Sequence, residues 1–275
     1  MNNKFEEAKY INGTVTKIYP IEEVTALRNH SLEKYNEIKN NFFCPECERP
    51  HLVHNLCKNH NSYFSTSKGQ SHIVGCSYEC DMATKKILSC LEEQSNLERL
   101  YARLQNCLLM LTKGESMSEN PFVLCQETDY EILKSTATLK SAYEKRYYIP
   151  RKRLTSHIND DIIGELKLFY GTVKLAWFSS EGYYPHRLCI YHLNDERIIC
   201  SLEFSDNVYN HLDVACKLFD KKKRFKASIA FFTKINVNII EKRNSTVIEQ
   251  KKFYNGIIND SRKIAFLEIS NIDRP

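Results

Sequence analysis

Proline and glycine are scarce in this sequence, 7 and 8 among 275 residues, which argues against a long flexible linker. No apolar run approaches the ~20 residues needed to span a bilayer. The opening Met1-Asn2-Asn3-Lys4-Phe5-Glu6-Glu7 lacks the apolar segment that a secretion signal requires. Catalytic signatures are missing as well. There is no Gly-x-x-x-x-Gly-Lys phosphate loop, no Gly-x-Gly-x-x-Gly and no Gly-x-Ser-x-Gly. The His-x-Glu and Pro-Cys-x-x-Cys pair of zinc deaminases is absent in that order. These absences predict a cytoplasmic protein with no membrane partner, and they supply no argument for an enzyme.

Cysteine, by contrast, is plentiful at 11 residues. An odd count at scattered spacing does not suit a disulfide framework, and thiols close together in a reducing compartment read as metal ligands. Cys107, Cys125, Cys189, Cys200 and Cys216 lie in apolar surroundings and read as core residues. Hydrophobic residues at 42% and charged ones at 27% are ordinary for a globular chain. The net charge of +5 is unevenly spread. Residues 1–144 hold 16 Lys and Arg against 19 Asp and Glu, whereas residues 145–275 hold 23 against 15. A polyanionic partner is therefore expected on the second half.

Patterning predicts an α+β chain in two domains: 1–145, a zinc ribbon with helices, and 146–275, an OB-like β-barrel. Asn12-Gly13 between short β-prone runs predicts a hairpin over 9–19, ended by Pro20. Val24, Leu27, Leu32, Tyr35 and Ile38 recur at helical spacing from 21 to 39. Ser95-Asn96-Leu97-Glu98 is a capping-box signature for a helix with the stripe Leu97, Leu100, Tyr101, Leu104, Leu108 and Leu111, stopped at Gly114. A second helix is expected over 129–145. Beyond Arg153 strands take over: 164–179 with Gly171 as a bend, 187–193, and 197–204. A helix near 206–219 follows, then strands over 225–240 and 263–269, separated by a polar insertion of about twenty residues. Three strands, a helix and two strands is the order of an OB-fold.

Zinc takes four soft or borderline ligands at tetrahedral positions, and Cys44-Pro45-Glu46-Cys47 is a knuckle that supplies two from one turn. The second pair is open on spacing: His72 with Cys76, or Cys57 with His60. Phe43-Cys44-Pro45-Glu46-Cys47, then Tyr63-Phe64-Ser65-Thr66-Ser67-Lys68-Gly69 and His72-Ile73-Val74-Gly75-Cys76, resembles the N-terminal zinc-binding segment of bacterial competence proteins of the CoiA type. Relatives of that segment also occur in proteins of mobile elements and phage defence. The resemblance covers about 40 residues and implies Cys44, Cys47, His72 and Cys76 as ligands of a structural Zn²⁺. Tyr63 and Thr66 stand where family members often carry histidines. The nuclease domain that follows in competence proteins is not visible: Glu165-Leu166-Lys167 fits its (D/E)-x-K tripeptide by spacing alone, with Asp160 and Asp161 too close upstream for a separate strand. The family's activity is not carried over.

OB-folds bind single strands through a cationic groove interleaved with aromatic platforms. The second half supplies both. Lys167, Tyr170, Lys174 and Trp177 lie on the first strand, Tyr183 and Tyr184 in the following loop, and Lys221, Lys222, Lys223 and Arg224 before the fourth strand. The expected function is a non-catalytic accessory protein binding single-stranded DNA or RNA, in a phage-defence (antiviral) or mobile-element setting implied by the resemblance. The competing reading is an adaptor whose barrel docks a partner protein. The same aromatics also suit a strand core.

Overall fold

The structure, a computed structural model, describes residues 4–56, 62–113, 121–124, 146–154, 158, 160–179, 183–194, 197–215, 224–244 and 247–268. The helix expected over 129–145 and the stop at Gly114 lie outside these residues. The fold is mixed α+β and divides into two compact units. The first is Met1–Met82 with the short segments Val123–Cys125 and Tyr143–Tyr148. The second holds Ala83–Phe122 and Ile149–Pro275. The helices after residue 83, which the sequence groups with the zinc segment, thus belong with the strands of the second unit.

In the first unit the expected hairpin is present. Strands β1 (Glu7–Asn12) and β2 (Val15–Pro20) pair antiparallel, with Asn12 opposite Val15, and β3 (Phe42–Phe43) pairs on the other side of β1. The single helix expected over 21–39 is two, α1 (Ile21–His30) and α2 (Leu32–Ile38). Ser31 breaks them with φ −152 and ψ 71. A second hairpin joins β4 (Leu52–Asn55) to β5 (Tyr63–Thr66). Short strands β6 (Asp81–Met82), β7 (Val123–Leu124) and β8 (Tyr147–Tyr148) form a third sheet. Phe5, Val24, Phe42, Leu52 and Phe64 share one core with Cys44 and Cys76.

The second unit carries helices α3 (Lys85–Cys90) and α4 (Leu97–Lys113) and a seven-stranded sheet. Leu97, Leu100, Leu104, Cys107 and Leu108 are buried, as the stripe predicts, and α4 packs on the sheet's strands. Those strands are β9 (Arg151–Arg153), β10 (Leu166–Ser179), β11 (His186–Tyr191), β12 (Ile198–Phe204), β13 (Phe225–Asn244), β14 (Val247–Ile258) and β15 (Ile264–Glu268). Helix α5 (Asp206–Ala215) lies between β12 and β13.

The pairings return to their start. β10 pairs with β11, β11 with β12, β12 in parallel with β14, β14 with β13, and β13 with β10. One expectation is corrected here. The polar insertion between the last two strands holds the end of β13 and all of β14. The segment expected as the fifth strand is β15, a further strand on β13. From Val237 to Tyr254 the two strands pair only with each other among the described residues. A two-stranded ribbon needs no apolar alternation, so the sequence pattern reads as an insertion.

Two glycines mark where strands change partners. β10 pairs with β9 up to Tyr170 and with β11 from Lys174, so the bend expected at Gly171 falls between them. A Cβ there would lie 3.1 Å from Leu154 Cβ. Gly256 faces both Ile235 on β13 and Leu202 on β12. A Cβ there would meet Thr233 Cγ2 at 2.8 Å and Ile235 Cδ1 at 3.1 Å. Overpacking of this kind costs about 1–3 kcal/mol. Gly256→Ala is therefore expected to lower the melting temperature by roughly 2–10 °C, followed by circular dichroism. An unchanged melting temperature would show that the three strands do not meet at this position.

Candidate metal centre and candidate nucleic-acid surface

The knuckle and the His72–Cys76 turn converge. One ligand atom from each of Cys44, Cys47, His72 and Cys76 lies within 4.8 Å of every other. Cys44 Sγ is 3.7 Å from Cys76 Sγ, and His72 Nδ1 is 3.4 Å from the sulfurs of both Cys47 and Cys76. Metal bonds of ~2.3 Å to sulfur and ~2.0–2.1 Å to nitrogen at tetrahedral angles set S···S at ~3.8 Å and S···N at ~3.5 Å. The spacing matches a tetrahedral site and is far longer than a disulfide. Such a Cys₃His set can hold a metal ion and suits zinc. Cys57 and His60, the other candidate pair, lie outside the described residues.

Local bonds shape each ligand turn. Cys44 N–H donates to Pro50 O, and Glu48 N–H donates back to Cys44 O, both at 3.0 Å. Glu46 Oε2 accepts from the Ser77 backbone N–H at 2.9 Å and from its hydroxyl at 2.6 Å. One carboxylate thereby ties the knuckle to the residue following Cys76. His72 stacks near Phe5 with centroids 5.6 Å apart, and its Nε2 lies 3.4 Å from Thr66 Oγ1. With the Thr66 oxygen accepting from Nε2–H, Nδ1 is left bare toward the sulfurs. Thr66 thus supports His72 from outside the ligand set. Tyr63 takes the Lys4 ammonium over its ring instead. His54 is a core histidine between Tyr35 Oη and Thr25 Oγ1, each at 3.3 Å. Burial, then Arg28, lowers its pKa to about 4, so it stays neutral.

The three thiols influence one another strongly. The Cys44–Cys47 hydrogen bond is the largest influence on both, pushing Cys44 up to about 12 and holding Cys47 far below its ordinary value. Hydrogen bonds with Cys44 and Cys47, then burial, push Cys76 upward. Only one of the crowded thiols ionises readily. A bound dication holds all three as thiolates, so uptake releases protons. Cys107 and Cys200 are buried core residues as expected, and Cys189 is buried in a small cluster outside the main core; Cys125 and Cys216 lie outside the described residues.

The residues expected on a nucleic-acid surface separate into groups. Lys167 is buried, its Nζ 3.2 Å from Glu165 Oε2. Tyr170 is buried against Phe122, with centroids 5.2 Å apart. Trp177 lies in the core between Phe204 and Tyr209. Trp177 points into the main core, whereas Tyr170 lies on the opposite side of β10 and is covered by Phe122; all three are buried and offer a strand no surface. Tyr183 is 83% exposed and meets Tyr184 edge to face at 4.9 Å. Lys221, Lys222 and Lys223 lie outside the described residues. Lys174 and Arg224 do come together. Lys174 sits opposite Tyr191 on β11 and Lys226 on β13, and the Arg224 guanidinium lies 4.0 Å over the Tyr191 ring.

That face carries three rows across β10, β11 and β12. Lys226, Lys174 and Tyr191 make one. Ala176, Cys189 and Ser201 make the next, and Phe178, Arg187 and Glu203 the third. Rows two residues apart stand ~6.8 Å apart. Ala176, Cys189 and Tyr191 are buried and form a cluster apart from the main core, whose members on these strands include Leu175, Trp177, Leu188 and Ile190. Sequence reasoning missed Arg187, Tyr191, Glu203 and Lys226. Strand parity from Lys174 could have found the face, but only with the register known.

No protein-family model and no curated protein matches this chain. Among the described residues no helix is long and apolar enough to cross a membrane.

Purified protein is expected to carry about one zinc per chain by elemental analysis. Cys44→Ser or Cys76→Ser is expected to lose it and unfold the first unit. Loss with Cys57→Ser but not with Cys76→Ser would overturn the ligand assignment. Protons compete for three thiolates and an imidazole, so lowering the pH favours release. Zinc released to a chromogenic chelator should therefore rise as pH falls; a pH-independent yield would mean the thiols do not hold the metal.

Proposed function

We propose that this chain binds single-stranded nucleic acid on the outer face of β10, β11 and β12, while a structural zinc in the Cys₃His cluster stabilises its first unit. The observation that carries the reading is the face itself: Lys174, Lys226, Arg187 and Arg224, the last over the buried Tyr191 ring, surround the small side chains of Ala176 and Cys189, with Phe178 50% exposed beside them. Cations meet the phosphates and aromatic faces accept bases, whatever the sequence. The ring β10–β11–β12–β14–β13, with α5 between its third and fourth members in chain order, supports reading the second unit as an OB-type barrel. In that fold, strands two and three with the first and fourth loops form the usual binding face. β11, β12, the Tyr183–Tyr184 loop and the β13–β14 ribbon stand in those places.

The test is anisotropy of a labelled 30-mer at increasing salt. Affinity is expected to fall steeply, because each neutralised phosphate releases condensed counterions. Replacing Lys174, Arg224 and Lys226 together by Gln should weaken binding and flatten the slope, by about 0.7 for each phosphate that is no longer neutralised. Phe178→Ala should weaken binding by about 1–3 kcal/mol and leave the slope nearly unchanged. No binding at ~50 mM salt, with a protein that co-purifies after nuclease treatment, would replace this reading with a protein-docking adaptor.

A further inference from the structure

An acid on a cationic face needs a reason. Glu203 stands in the same row as Phe178 and Arg187. Arg187 Nη2 donates to Glu203 Oε1 at 2.8 Å, with the two side chains 45% and 15% exposed respectively. A carboxylate near phosphates repels them, so a general phosphate-binding surface gains nothing from it. A carboxylate beside a stacking platform can instead read a base edge. It has about four lone-pair positions on two oxygens, so the Arg187 bond leaves acceptor capacity. The guanidinium also fixes the orientation of the carboxylate.

Resting on the single-strand reading above, we infer that the Phe178–Arg187–Glu203 row is a base-selective subsite that prefers guanine. An unpaired base exposes its Watson–Crick edge. Guanine alone carries two adjacent donors there, N1–H and the 2-amino group, which match the two oxygens of one carboxylate. Adenine and cytosine each set an acceptor beside their amino group. Thymine and uracil offer one donor between two carbonyl oxygens. Stacking on Phe178 brings the base over the row, and Glu203 then discriminates among bases that stack alike. A protein binding only through phosphates and stacking would show no such choice.

The experiment uses the full-length zinc-loaded chain and labelled twelve-nucleotide oligothymidine at ~50 mM salt. Probes carry a single central guanine, adenine, cytosine or inosine. The guanine probe is expected to bind at least ~5-fold tighter than plain oligothymidine. Inosine, which lacks the 2-amino group, should forfeit most of that gain. Glu203→Gln should bring the guanine-to-thymine ratio close to 1, with an unchanged circular dichroism spectrum. If that variant does not fold, Glu203→Asp, whose shorter side chain draws the carboxylate back from the base, should reduce the ratio in the same direction. Equal affinity for all probes, or a guanine preference that survives Glu203→Gln, overturns the subsite and leaves single-strand binding standing. Failure of every oligonucleotide to bind overturns the parent reading and this one with it.

Discussion

Strand β13 is the constraint on which the second unit depends. Its first ten residues pair with β10 on one side, five of them also with β15 on the other, and its last ten pair with β14. Ala227, Ile229, Phe231 and Ile235 enter the main core. Ser228, Ala230 and Phe232, of the opposite parity, are buried as well. A strand covered on both faces reads as a near-continuous apolar run, and Ala227–Phe232 is one, interrupted only by Ser228. A slip of one residue would turn every core side chain outward. The same register sets Lys226 opposite Lys174, so the composition of the outer face follows from the packing of the inner one.

In the first unit the metal ligands and the apolar core are the same structure. Cys44 and Cys76 are buried together with Phe5, Phe42, Leu52 and Phe64. Phe5 pairs with Phe64 by two backbone hydrogen bonds and stacks beside His72. The core therefore fixes the ligand positions, and a metal ion in turn ties together turns that lie more than twenty residues apart in sequence. Binding and folding are then one equilibrium.

How much could be read beforehand depends on whether a feature is local. The hairpin at Asn12-Gly13, the α4 stripe and the cysteine knuckle are local patterns, and the structure contains all three. The choice of His72 and Cys76 came from a resemblance over about 40 residues, since spacing alone left two pairs open. The outer face was only half legible. In β10 both faces of Leu166–Tyr170 are buried, so no alternation distinguishes Lys167 or Tyr170 from a surface residue. Trp177 was legible by parity with Val173 and Leu175, opposite to Lys174, had that parity been followed. Arg187 and Glu203 meet only through the β11–β12 register, which no local pattern specifies. The break at Ser31 was not legible: Val24, Tyr35 and Ile38 are buried at a spacing that one continuous helix would also give, and only the Ser31 backbone, at φ −152 and ψ 71, departs from it.

The two units carry different polar chemistry. Four protein donors fill a tetrahedral shell, so a metal held by Cys44, Cys47, His72 and Cys76 has no position left for an activated water. The acids of the second unit are engaged elsewhere. Asp160 accepts from Lys252 and Tyr254, and Asp260 from Arg262, which also reaches Glu98. Glu165 holds Lys167. Each is an ion pair or hydrogen bond within the fold. The (D/E)-x-K tripeptide at 165–167 is accordingly a strand entry whose lysine is buried. On the described residues of that face, solvent meets Lys226, Arg187 and Phe178, set side by side by the same strand register that packs the core.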